Sequence, residues 1–157
     1  MAMQFSEPTM KRLDELLKLY PEKRAALLPA LWLAQKEFGY LSQEAMAYVA
    51  GRLGLTPAYV YGVSTFYSMY NKEPVGKYLI QVCTNLPCAL MGAEHVVDYL
   101  TQKLGIKAGE TTPDQKFTLL RVECLGACGV APMMQVNDTY YENLTRERID
   151  KILSELK

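Results

Sequence analysis

FTLLRVECLGACGVAP, residues 117–132, runs from a strand-like segment straight into two cysteines with three residues between them. Its first half, FTLLRVEC, has the β-branched and aromatic content of a buried strand and delivers Cys124 at its end. Its second half flanks the thiols with Gly126, Ala127 and Gly129, whose small or missing side chains let backbone amides come close to the sulfurs. The plainer reading of those three residues is a tight turn. The arrangement has a counterpart upstream: KYLIQVC, 77–83, is a second strand-like run, and it leads into VCTNLPCAL, where Cys83 and Cys88 stand with four residues between them.

Residues 89–104 lie between the two runs and are helical in pattern, with Leu90, Ala93, Val97, Leu100 and Leu104 expected on one face. Strand, helix and strand in that order permit a right-handed crossover that lays the strands parallel, with both cysteine loops at one carboxyl edge. Open α/β sheets collect their ligands at that edge. After the second cysteine pair, MMQVN and TYYEN flank Asp138 as a short hairpin, and Ile149, Ile152, Leu153 and Leu156 mark a final amphipathic helix.

The residues up to 72 have a different character. Ser6, Glu7 and Pro8 open a helical pattern carrying Met10, Leu13, Leu16, Leu17 and Tyr20, closed by Pro21. The next pattern carries Leu27, Leu31, Ala34 and Phe38 and ends at Gly39; Pro29 within it means that the helix either starts late or bends. Ser42 starts a third helix with Met46, Val49, Ala50 and Leu53 on one face, and Thr56-Pro57 starts a fourth carrying Val60, Val63 and Tyr67. A small helical bundle follows from these, joined to the strand-bearing part by a link over residues 71–76.

Composition restricts the function classes. The 157 residues fit one ordinary domain or a domain with an appendage, and 50% hydrophobic with 22% charged residues is usual for a globular protein. Lys plus Arg and Asp plus Glu balance at 17 each, which is unlike the basic footprint of a nucleic-acid binder. No run approaches the roughly 18 apolar residues of a membrane span, and the N-terminus shows neither a signal core nor a transit segment. The expectation is a cytoplasmic chain with no direct membrane insertion, whose four cysteines stay reduced and free for metal.

Four thiolates converging from two loops can hold zinc or an iron–sulfur cluster, or close into two disulfides. A structural zinc ion is one tetrahedral centre clasped by cysteines two to four residues apart, whereas a two-iron cluster is longer and takes two thiolates on each iron. The spacing favours the cluster only modestly, so a structural zinc module stays open, while disulfides fit poorly with a reducing compartment. The gaps differ from the plant-type ferredoxin pattern. Neither pair has the C-x-x-C spacing of a thioredoxin-like thiol enzyme. The chain's one histidine, His95, reads as a surface or packing residue on a helix, and a Rieske centre would need two. With no G-x-G-x-x-G after a strand and no P-loop, nucleotide and flavin sites are not expected on this chain.

VCTNLPC and VECLGACGVAPMMQVNDTYYENLT resemble the thioredoxin-like [2Fe–2S] subunit of NADH:quinone oxidoreductase, respiratory complex I. The resemblance continues through YPEKRAALLPALWLAQKEFGYLS, VYGVSTFYSMY, PVGKY and LGIKAGETTPD, and so covers nearly the whole chain. It implies an α+β or α/β fold in which an N-terminal helical bundle at 1–72 precedes a thioredoxin-like domain with a small mixed sheet at 73–157. It also implies that Cys83, Cys88, Cys124 and Cys128 are the ligands of one [2Fe–2S] cluster, each iron taking both cysteines of one loop, and that Ala131-Pro132 stands where such folds often place a cis proline.

The same resemblance implies an electron-carrying subunit without an active site of its own, at the periphery of the membrane's inner face. Its partners would be the flavin-bearing subunit, which holds FMN and NADH, and further iron–sulfur subunits. The cluster would exchange single electrons with that FMN from the side away from the main electron route, suited to holding an electron briefly. Similar subunits serve NAD-reducing hydrogenases and NAD-dependent formate dehydrogenases, which are the alternative hosts. The aromatic set Tyr59, Tyr61, Phe66, Tyr67 and Tyr70 is either a docking surface for the flavin subunit or filling for the helical core.

Overall fold

The structure, a computed structural model, describes residues 3–156. The chain divides after Pro74 into two compact units, each with its own apolar core.

The first unit is helical: α1 (Glu7–Leu17), α2 (Leu27–Phe38), α3 (Gln43–Leu53) and α4 (Pro57–Phe66), with a 3-10 turn over Lys23–Ala26 in front of α2. That turn resolves the position of Pro29. It is the third residue of α2, in the first turn, where an N–H has no helical acceptor, so the helix starts late and the proline is tolerated. Ser42 and Thr56 cap α3 and α4 by accepting from the Ala45 and Tyr59 amides at 3.1 and 3.3 Å. Ser6 holds the N-cap position of α1 without such a bond. Its amide and hydroxyl instead donate to the Glu37 carboxylate of α2, which also accepts from Thr9 at 2.6 Å. These donors, the Thr9 hydroxyl foremost, hold the Glu37 carboxyl below its ordinary range.

Leu13, Leu31, Leu41, Met46, Val49, Val60 and Tyr70 are buried at the centre of this unit. Each such large apolar side chain contributes roughly 1.5–3 kcal/mol by leaving water. Two polar groups secure the segment after α4. Gln35 donates to the Met69 carbonyl at 3.0 Å and accepts from the Asn71 amide at 2.6 Å, and the Tyr70 hydroxyl donates to the Leu28 carbonyl at 2.8 Å. Burial pushes the Tyr70 phenol up to about 12.

The second unit runs β1 (Tyr78–Cys83), α5 (Leu86–Leu90), α6 (Ala93–Leu104), β2 (Phe117–Val122), β3 (Met134–Val136), β4 (Thr139–Tyr141) and α7 (Arg146–Glu155). The sheet order is β2-β1-β3-β4, with β1 parallel to β2 and the remaining pairs antiparallel. This is the small mixed sheet that the sequence led us to expect. Asn137 and Asp138 turn the β3–β4 hairpin, Asn137 with φ of 52°. β1 is buried along its whole length from Leu79, as a central strand with both faces covered must be. Ile80, Val82, Val97, Leu100, Leu119, Met134, Ile149 and Ile152 make the core between sheet and helices.

Two boundaries differ from the sequence reading. The single helix expected over 89–104 is two helices, because the Asn85 side chain caps the Leu86 amide at 2.7 Å and Gly92, at φ 91°, ends the short turn it starts. Leu90 therefore leaves the buried face and is 77% exposed. The second strand stops at Val122 rather than at Cys124, and Glu123 bonds across to Asn85 instead of extending the ladder.

Candidate metal centre

The parallel pairing of β1 and β2 sets Cys83 opposite Val122, so both chains leave the sheet side by side at its carboxyl edge. The Thr84 amide donates to the Val122 carbonyl at 3.0 Å and the Asn85 side-chain amide to Glu123 at 2.7 Å, which clamps the two cysteine loops together. A third segment joins them: the Cys83 amide donates to the Met133 carbonyl at 3.3 Å, just after the cis Ala131–Pro132 peptide. Cys83, Cys88, Ala93, Ala131 and Met133 are buried together in a cluster separate from the main core, with Leu125 and Ala127 packed against it.

The thiols lie in two pairs of unlike exposure. Cys83 and Cys88 are buried, and Cys124 and Cys128 are exposed with their sulfurs 3.6 Å apart. Burial works to raise the Cys83 thiol, but the Asn85 and Leu125 amides and the Cys88 thiol all donate to it and leave it below its ordinary value. Burial and the neighbouring Cys83 push Cys88 up to about 11, against a Met133 amide that donates to it. Cys128 is raised chiefly by its hydrogen bond with Cys124. The Gly126 amide, at φ 77°, donates to the Cys124 sulfur at 3.3 Å.

These features allow a test of which metal group the residues fit. Two sulfurs on one tetrahedral metal, each about 2.3 Å from it, stand about 3.7 Å apart. The Cys124–Cys128 separation meets that, and Cys83 and Cys88 are buried in one small cluster. Among the described residues no group of three or more His, Cys, Asp or Glu side chains is arranged around a single ion. A thiol pair spaced for one metal and carrying an amide donor, with a second, buried thiol pair at the same sheet edge, fits a two-iron cluster better than one tetrahedral zinc.

The other residues singled out by sequence fall as follows. Of the three small residues expected to expose amides, Gly126 does so; the further donors are Asn85, Leu125 and Met133, which no sequence signal distinguished. His95 is exposed on α6. In the helical unit Tyr61 and Phe66 are 51% and 80% exposed, Tyr59 and Tyr67 are at the surface, and Tyr70 alone of the set is core. Tyr59, Phe66 and Tyr67 line an open groove of about 850 Å³ together with Leu27, Leu28 and Val63. Arg24 donates to the Tyr59 hydroxyl at 2.9 Å and stacks over its ring.

Comparison with known proteins identifies the family. The NADH-quinone oxidoreductase E subunit of Rickettsia felis is 48% identical over 154 residues, covering 96% of this chain and 92% of that one. An NADH-quinone oxidoreductase E subunit of Rhizobium meliloti is 46% identical over 138 residues, covering 88% and 82%. The crystal structure of an NAD+-reducing [NiFe]-hydrogenase in the air-oxidised state shares the fold with a TM-score of 0.72 at 23% identity, over 83% of this chain but only 22% of that one. Residues 13–157 match the family model for thioredoxin-like [2Fe–2S] ferredoxins, and the chain belongs to that family.

Proposed function

We propose that this chain is the electron-carrying subunit of an NADH:quinone oxidoreductase, holding its [2Fe–2S] cluster on Cys83, Cys88, Cys124 and Cys128 and exchanging single electrons with the FMN of a neighbouring NADH-oxidising subunit. The observation that carries the reading is the gathering of two thiol pairs at one sheet edge, in a chain nearly half identical to NADH-quinone oxidoreductase relatives. The hydrogenase likeness supports the fold alone.

When bound, such a cluster supplies reversible one-electron transfer. The chain's own residues give it a graded setting. Cys83 and Cys88 keep one side dry, and Cys124 and Cys128 bring the other to the surface where a partner can approach. The Asn85, Leu125, Gly126 and Met133 amides stabilise negative charge on the sulfurs. In the unit ending at Pro74, the groove lined by Tyr59, Phe66 and Tyr67 is our candidate for docking the flavin-bearing subunit, since aromatic residues are enriched in interface cores. A peripheral assembly on the cytoplasmic side is part of the same proposal; separately, no described helix is long and apolar enough to cross a membrane.

Rapid mixing tests the electron exchange. The reconstituted chain, reduced chemically and mixed anaerobically with the oxidised flavin-bearing subunit, should lose its paramagnetic signal as one electron per chain is counted on the flavin. A signal that persists after mixing, with the flavin unchanged, contradicts the proposal.

A further inference from the structure

A hydrogen bond from the hairpin reaches the cysteine loop. Tyr140, in β4, donates its hydroxyl to the Leu125 carbonyl at 2.7 Å. That carbonyl and the Gly126 N–H belong to one planar peptide unit. The Gly126 N–H in turn donates to the Cys124 sulfur at 3.3 Å. Phenol, peptide and sulfur thus form a continuous line. A donor on the carbonyl draws electron density to its oxygen and leaves the N–H of the same peptide more positive, so successive bonds strengthen one another.

The line is held firmly at both ends. Tyr140 sits opposite Gln135 in the β3–β4 ladder, which fixes its backbone even though the residue is about half exposed. The residues after it grip the same loop: the Asn143 amide donates to the Val130 carbonyl at 2.8 Å and the Leu144 amide to the Pro132 carbonyl at 2.9 Å. Gly126 takes a left-handed backbone that a side chain would disfavour, so the chain can turn directly after the peptide whose N–H meets the Cys124 sulfur.

We infer that Tyr140 is a positioning residue for Cys124. Acting through the Leu125–Gly126 peptide, its hydroxyl strengthens the amide donor on that sulfur and favours the added negative charge of a reduced cluster. The inference rests on the reading of the four cysteines as cluster ligands, and it adds a residue whose hydroxyl bonds a loop carbonyl rather than a cysteine sulfur.

Tyr140→Phe removes the hydroxyl and keeps the ring. Wild type, Tyr140→Phe and, as a neighbouring control, Tyr141→Phe are reconstituted anaerobically and titrated for reduction potential. At equal iron and sulfide content, Tyr140→Phe should disfavour the reduced form roughly threefold to tenfold, tenfold being about 59 mV lower for one electron. Tyr141→Phe should match wild type. Equal potentials for wild type and Tyr140→Phe overturn the inference. If wild type itself takes up no iron and sulfide, the cluster reading falls and this inference with it. If Tyr140→Phe alone fails to load, hydrogen exchange of the Gly126 amide in cluster-free protein decides: severalfold faster exchange in the variant supports the inference, and an unchanged rate overturns it.

Discussion

Cys124→Ala, reconstituted anaerobically with iron and sulfide, should show neither the visible absorption nor the paramagnetic signal of a [2Fe–2S] centre. The expected loss is complete because a two-iron cluster needs two thiolates on each iron, and alanine leaves one coordination position without a donor. Cys124 is the informative choice among the four. It is exposed and lies beyond the end of β2, so its removal should change stability by no more than about 0.5 kcal/mol. Cys88→Ala would lose the same ligand but also open a gap in the buried cluster with Ala93 and Met133, and the two effects would be mixed. Circular dichroism that stays native beside a colourless Cys124→Ala protein assigns the loss to ligation. An unchanged visible spectrum in that variant would remove Cys124 from the ligand set.

Gly76→Ala should be the most damaging of the glycine-to-alanine changes in the second unit. A Cβ at residue 76 would stand 2.9 Å from both the backbone carbon and nitrogen of Phe117 and 3.0 Å from the Gln115 carbonyl oxygen. Backbone atoms cannot swing aside as a side-chain tip can. Relief requires moving the start of β2 away from the start of β1, where the Gly76 amide donates to the Thr118 hydroxyl at 2.7 Å and the Lys77 amide to Gln115 at 2.9 Å. Overpacking of about 1–3 kcal/mol, with about 1 kcal/mol for a weakened hydrogen bond, gives a destabilisation of about 2–4 kcal/mol. For a chain of this size that is a fall of roughly 5–15 °C in Tm. Gly51→Ala is the contrast: it lies within α3 with nothing inside 4 Å of the new Cβ, and should stabilise by about 0.5–1 kcal/mol. Calorimetry of the two variants separates them by sign.

The elements that depend on local signals were legible before the fold was known. Ser42 and Thr56 announced their helices because a cap is a property of three or four neighbouring residues, and the strand-like runs at 77 and 117 announced the parallel pair that gathers the cysteines. The single helix expected over 89–104 fails for a related reason. Leu90 keeps helical spacing with Ala93 and Val97, and only the cap at Asn85 and the left-handed Gly92 reveal that the chain turns between them. Most of the amide donors were out of reach of sequence. Gly126 was legible because a missing Cβ is a visible signal, whereas the Asn85, Leu125 and Met133 amides are aimed at sulfur by tertiary approach of three segments. Tyr70 could not be told from Tyr59 or Tyr67 by composition; the Leu28 carbonyl that receives its hydroxyl is what takes it into the core.

Four thiols in two pairs should hold two irons rather than one zinc. Metal and sulfide analysis of the full chain, purified and reconstituted anaerobically with iron, zinc and sulfide all present, tests this most directly. Two irons and two inorganic sulfides per chain, with a paramagnetic signal on one-electron reduction, is the expected result. One zinc per chain, with no sulfide and no colour, would contradict it.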